Sequence, residues 1–131
     1  MLKAIVILFL VTAVTACGGP VLIFAGGALN GQERPLTNSD LPTSDVVFQL
    51  ETRPDDPYSV NINGFAIDGG LYVDPTAERA WGQHLAADPN IRVRLTDGLV
   101  LTARAERVTD ANILQNFEAD RVVYAIVPRT E

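Results

Sequence analysis

Two runs of alternating apolar residues, Ile91-Val93-Leu95 and Leu99-Leu101-Ala103, meet at Asp97-Gly98, and only one pairing keeps them on a common face. A two-residue loop sets Thr96 against Leu99 and Arg94 against Leu101, which mixes arginine with the apolar side. A three-residue loop, Thr96-Asp97-Gly98, sets Leu95 against Leu99, Val93 against Leu101 and Ile91 against Ala103. It also puts Gly98 where such loops take a left-handed residue. The same construction across Asp68-Gly69-Gly70 predicts Ile67 opposite Leu71 and Phe65 opposite Val73. Two hairpins of one design predict a curled antiparallel meander.

Other segments extend this period-two pattern. Val46, Phe48 and Leu50 alternate with Val47, Gln49 and Glu51, and Arg53 to Pro57 reads as a turn. The next strand has an apolar face, Tyr58, Val60 and Ile62, and a polar one, Ser59, Asn61 and Asn63. A last strand, Val122 to Val127, is apolar on both faces, which predicts a central position or a subunit contact. Two stretches break the pattern. Asp74-Pro75 reads as an N-cap with proline at the first helical position, and Ala77, Ala80, Trp81, His84 and Leu85 follow at helical spacing as far as Asp88-Pro89. A shorter helix is predicted from Asp110 to Phe117. The order predicts a mainly β fold: a small antiparallel split β-barrel with a crossover helix and a second short helix, over residues 46–129.

The N-terminus has another composition. From Ala4 to Gln32 no residue is charged, Lys3 is the only lysine, and all sixteen acids lie beyond residue 32. The apolar run after Lys3 has the length of a secretory signal core. Val14-Thr15-Ala16-Cys17 resembles the lipobox of bacterial lipoproteins, which implies cleavage after residue 16 and acylation of Cys17, the single cysteine. The alternative is an uncleaved membrane anchor running to about residue 25, interrupted by Gly18-Gly19-Pro20. Either way the chain is expected in the cell envelope, membrane-anchored, with its domain outside the cytoplasm. Residues 17–45, rich in Gly, Asn, Ser and Pro, read as a tether. A net charge of −6 makes nucleic acid a poor partner, and a single Cys with a single His excludes both an internal disulfide and a Cys/His zinc cage.

Leu71-Tyr72-Val73, Trp81-Gly82-Gln83-His84-Leu85-Ala86-Ala87-Asp88-Pro89 and Ile91-Arg92-Val93-Arg94-Leu95 together carry a family resemblance. With Leu99 to Val108 and Val127-Pro128-Arg129, they resemble the split-β-barrel flavin-binding superfamily. That superfamily includes the pyridoxamine 5'-phosphate oxidases and the deazaflavin-dependent nitroreductases. The resemblance implies a homodimer with FMN or a deazaflavin at its seam, and redox chemistry on a small acceptor. It implies cofactor contacts from Ser59, Asn61, Thr76, Arg79 and Trp81, and it turns the polar row of Gln49, Glu51, Ser59 and Asn61 toward the seam, whereas the residues alone read that row as a solvent-exposed face.

Departures from the family limit what the resemblance carries. The stretch from Val73 to Arg79 has neither the lysine nor the glycines that hold cofactor phosphates in the deazaflavin branch, and the strand from Tyr58 to Asn63 has no cation. Asp74 and Glu78 repel a phosphate at a helix start, leaving Thr76 and Arg79 as substitutes. His84 stands at the family's Asn position and reads as a packed, hydrogen-bonded residue rather than an acid or base. Trp81 and Leu85 also read as core residues, and Arg92, Arg94 and Arg104 as a solvated stripe. No catalytic residue and no metal ligand can be named. Two functions therefore stand: an envelope-anchored flavin-reductase-like protein, or a cofactor-free binding or scaffolding lipoprotein that kept the barrel and lost the site.

Overall fold

The computed structural model describes residues 18–130. The expected signal segment and the lipidation site Cys17 lie outside the described residues.

The described residues form seven strands: β1 Gln32–Pro35, β2 Val46–Thr52, β3 Tyr58–Ile67, β4 Gly70–Val73, β5 Asn90–Arg94, β6 Leu99–Arg107 and β7 Tyr124–Val127. The helices are α1, Ala80–Ala87, and α2, Ala111–Leu114. Strands β2 to β7 close an antiparallel six-stranded barrel in the order β6-β5-β2-β3-β4-β7, with β7 returning to β6. Strand β1 is an addition. It runs parallel to β6 over Leu99–Thr102, while β7 takes the same edge farther along, over Arg104–Arg107. The inward set, including Phe48, Leu50, Leu71, Val73, Ile91, Val93, Leu101 and Ile126, is buried in one core with Leu85 of α1. These side chains recur at every second position, so each strand delivers one face to the barrel.

The β5–β6 hairpin has the predicted register, Val93 opposite Leu101 and Ile91 opposite Ala103, with Gly98 at φ +77°. The β3–β4 hairpin differs by one residue. Its loop is Asp68-Gly69, both left-handed at φ 48° and 82°, and it pairs Ala66 with Leu71 and Phe65 with Tyr72. An Asp-Gly pair suits such a two-residue turn. Phe65 consequently faces outward, where its ring meets Phe117 edge-on at 5.6 Å. Strand β7 lies between β4 and β6, so the strand that is apolar on both faces is central.

Helix α1 begins at Ala80 with Arg79 as N-cap, not at Asp74-Pro75. The Asp74 carboxylate instead faces Arg121 at 3.4 Å, and Thr76 bridges to Arg121 in the backbone, which holds residues 74–79 extended or turned. The C-terminal boundary at Asp88 agrees with the expectation. Helix α2 is shorter than predicted but is capped by Asp110, whose side chain accepts from the Asn112 amide at 2.9 Å.

Residues 18–45 differ most from expectation. Leu29 and Leu36 are 1% and 2% exposed, β1 joins the sheet, and Thr37 and Arg34 fix a 3₁₀ turn at Asn38–Asp40 through the Asp40 carboxylate. Those two contacts hold the Asp40 carboxyl well below the usual carboxylate range. Through β1, Leu29 and Leu36 the stretch 26–40 is packed on the barrel rather than left as a free tether.

Candidate functional site

The outer face of the barrel carries the polar row as two lines across three strands. Register aligns Arg94, Gln49 and Asn61 in one line, and Arg92, Glu51 and Ser59 in the next. Residues 18–31 lie across this face. The Leu29 amide and Arg92 Nη1 both donate to Glu51 Oε1, each at 2.8 Å. Arg92 also reaches Glu33 at 2.9 Å. Ser59 Oγ donates to the Gly27 carbonyl at 2.6 Å, while Gly26 and Ser59 exchange backbone bonds at 2.8 and 2.9 Å. Asn61 Nδ2 donates to the Leu22 carbonyl at 3.0 Å, and Arg94 bonds both Gln49 and the Asn30 carbonyl.

A carboxylate taken from water needs such partners. Glu51 is fully buried, and its Oε2 has no partner among the described residues. The crossing requires a glycine: a Cβ on Gly26 would lie 2.3 Å from the Gly19 carbonyl carbon. Arg92 and Arg94, expected as a solvated stripe, point into the row and seal it, whereas Arg104 is exposed.

A second polar surface remains open. A groove of about 550 Å³ lies between β3 and the start of α1. It brings together four of the five predicted cofactor residues, Asn61, Thr76, Arg79 and Trp81, with Asp74, Glu78 and Arg121. Ser59 is not among them, because it is buried beneath Gly27. Arg121 Nη1 contacts both the carboxylate and, at 3.1 Å, the carbonyl of Asp74. Burial pushes the Asp74 carboxyl up, and Arg121 only partly offsets it. Arg79 has no ion-pair partner among the described residues. Sequence reasoning missed Asp74 and Arg121 as a pair, since they are remote in the chain and no local pattern links them.

His84 lies outside the groove lining. Its Nδ1 is 2.9 Å from Thr52 Oγ1, and its ring meets Tyr58 edge-on at 4.9 Å. Thr52 donates its hydroxyl proton to the Tyr58 carbonyl at 3.2 Å, so it accepts from a protonated Nδ1. Burial first, then nearby Arg53, lowers the imidazole pKa and favours this neutral ring. The arrangement is a packed, hydrogen-bonded histidine.

No protein-family model matches the chain, and no curated protein matches it. Among solved structures it is similar to a crystal structure of a candidate pyridoxamine 5'-phosphate oxidase from Listeria innocua. Identity is 20% and the TM-score 0.49, covering 64% of this chain and 84% of that one.

Proposed function

We propose that the chain is a membrane-attached binding domain of the cell envelope, in which the barrel is a rigid scaffold and no flavin is held. One observation carries this reading: the polar row that the resemblance assigns to a cofactor seam is hydrogen-bonded to the chain's own residues 18–31. A ring system cannot reach Ser59 or Glu51 without displacing that segment.

The open groove does not fit a flavin phosphate either. Of its two guanidinium groups, Arg121 is engaged by Asp74, and Arg79 shares the start of α1 with Glu78. A phosphate favours cations free of neighbouring acids beside the helix amides, and Arg79, although unpaired among the described residues, stands next to Glu78. Two acids and two arginines leave no net attraction for an anion. Neutral polar groups of Asn61, Asn63 and Thr76, beside the apolar surface of Trp81, Val60 and Ile62, suit a small molecule of no net charge. A second copy cannot pair through the row while residues 18–31 cover it, and on this reading sedimentation at micromolar concentration is expected to report a monomer rather than the homodimer the resemblance implies.

Two experiments test the reading. Calorimetry on the purified full chain is expected to show no heat with FMN or a deazaflavin at high micromolar concentration. Measurable FMN binding, weakened about tenfold or more by Arg79→Ala while riboflavin binding is unchanged, would replace this proposal with the flavin-reductase one. For the attachment, intact mass is expected to show an acylated Cys17 at the N-terminus, and Cys17→Ser is expected to accumulate as an unprocessed precursor. A free thiol on a chain that starts at Met1 would remove the lipid anchor.

A further inference from the structure

Among the described residues, the large exposed hydrophobic side chains are Val21, Leu22, Ile23, Phe24 and Val47, at 66, 77, 92, 68 and 66%. Four of the five are consecutive. They form one tight turn, in which Phe24 donates to the Val21 carbonyl at 2.8 Å and Val21 returns a bond at 3.1 Å. Leu22 takes φ 51°, a left-handed conformation unusual for a leucine. The turn is clamped on the barrel: Asn61 holds the Leu22 carbonyl, Gly27 bonds the Gly18 carbonyl, and Gly26 pairs with Ser59. Val47 lies on the same outer face of β2 as Gln49, opposite Asn63, at the end of the row nearest Asn61. Singly scattered apolar residues need no explanation, but a clamped, contiguous apolar tip does.

We infer that the Val21–Phe24 turn seats in the interfacial layer of a lipid bilayer and fixes the orientation of the barrel there. The inference rests on the membrane attachment proposed above. Three residues separate Cys17 from Val21, a reach of at most about 14 Å. An anchor at or before Cys17 therefore holds the tip at the membrane surface. The tip also lies within the uncharged stretch from Ala4 to Gln32, so its insertion desolvates no charge. The apolar tip thus continues the apolar N-terminal run. The five side chains fall short of the roughly 800 Å² per partner that a stable interface between two copies needs, whereas a bilayer accepts a small convex tip. Because Ile23 also lines the groove, the groove then lies beside the lipid headgroups.

The test uses the full chain in vesicles of phosphatidylcholine and phosphatidylethanolamine. A nitroxide is placed at Ile23→Cys and, in a control, at Asp68→Cys, roughly 23 Å farther along β3 than Asn61. Mass spectrometry reads the state of Cys17 in the same samples. The expected result is an oxygen-to-nickel accessibility ratio at position 23 severalfold above that at 68. Ile23→Asp, at a side chain already 92% exposed, is expected to leave the fold intact while abolishing the elevated ratio of a probe at Phe24→Cys. A chain that remains attached while the probe at 23 reads water overturns the inference and leaves the attachment standing. Dipolar coupling between probes at 23 of two copies, without a lipid signal, overturns it in favour of a dimer. A chain that washes off the vesicles, with Cys17 unmodified, overturns inference and attachment together.

Discussion

Asn61 separates two polar surfaces with opposite fates. On one side, Glu51, Ser59 and Arg94 bond to the backbone of residues 26–30, Arg92 bonds to Glu51, and Glu51 and Ser59 are fully buried. On the other, Thr76, Glu78, Arg79 and Trp81 border a groove of about 550 Å³ that no other part of the described chain fills. Strand β3 borders both surfaces, and only the first is covered by the chain's own residues 18–31. Polar side chains bonded to backbone groups stabilise the fold, whereas those left open remain free for a ligand. The row is therefore structural and the groove is the functional candidate.

This contrast can be broken by substitution, and the largest effect is expected at Glu51. Glu51→Ala leaves Arg92 with only the half-exposed Glu33 as an ion-pair partner and the buried Leu29 amide without an acceptor. The expected loss is about 3–5 kcal/mol in denaturant unfolding. A loss below about 1 kcal/mol would mean that the row is solvated. Gly26→Ala forces a Cβ against the Gly19 backbone and is expected to cost about 1–3 kcal/mol, with the loss of protection confined to residues 18–31.

A smaller effect is expected at His84. Its folded pKa is depressed by burial, so its contribution is fully present above about pH 6.5 and is lost as pH falls through the depressed value. Comparing the wild type with His84→Gln between pH 7.5 and 5 should show this contribution shrinking toward acid. The smallest effect is expected in the groove. Arg79→Ala is expected to change stability by less than about 0.5 kcal/mol, because the side chain is exposed and has no ion-pair partner among the described residues.

How legible each region was follows from the same contrast. The β5–β6 hairpin could be read to the residue because its paired positions Ile91, Val93, Leu101 and Ala103 all face the core. The β3–β4 register could not, because Phe65 is apolar yet outward, covered by Phe117 from a distant segment. Asp74-Pro75 has the form of a helix start, but Arg121, 47 residues away, claims the carboxylate. The alternation of Gln49, Glu51, Ser59 and Asn61 correctly marked an outer polar face. Nothing in that alternation distinguishes a face wetted by solvent from one bonded to backbone, and of the large apolar residues in the covering segment only Leu29 is buried while Val21 to Phe24 are exposed. Grouping Asn61, Thr76, Arg79 and Trp81 was within reach, since β3 and the start of α1 supply all four. Separating Ser59 from them required the cover.

Amide hydrogen exchange tests most directly whether the chain's own N-terminal segment closes the row. The Leu29 amide, which donates to buried Glu51, and the Gly26 amide, which pairs with Ser59, are expected to exchange as slowly as the β2–β3 ladder around Leu50 and Val60. Exchange of Leu29 and Gly26 at the rate of an exposed loop, with Leu50 and Val60 still protected, would contradict the account and return the row to a ligand.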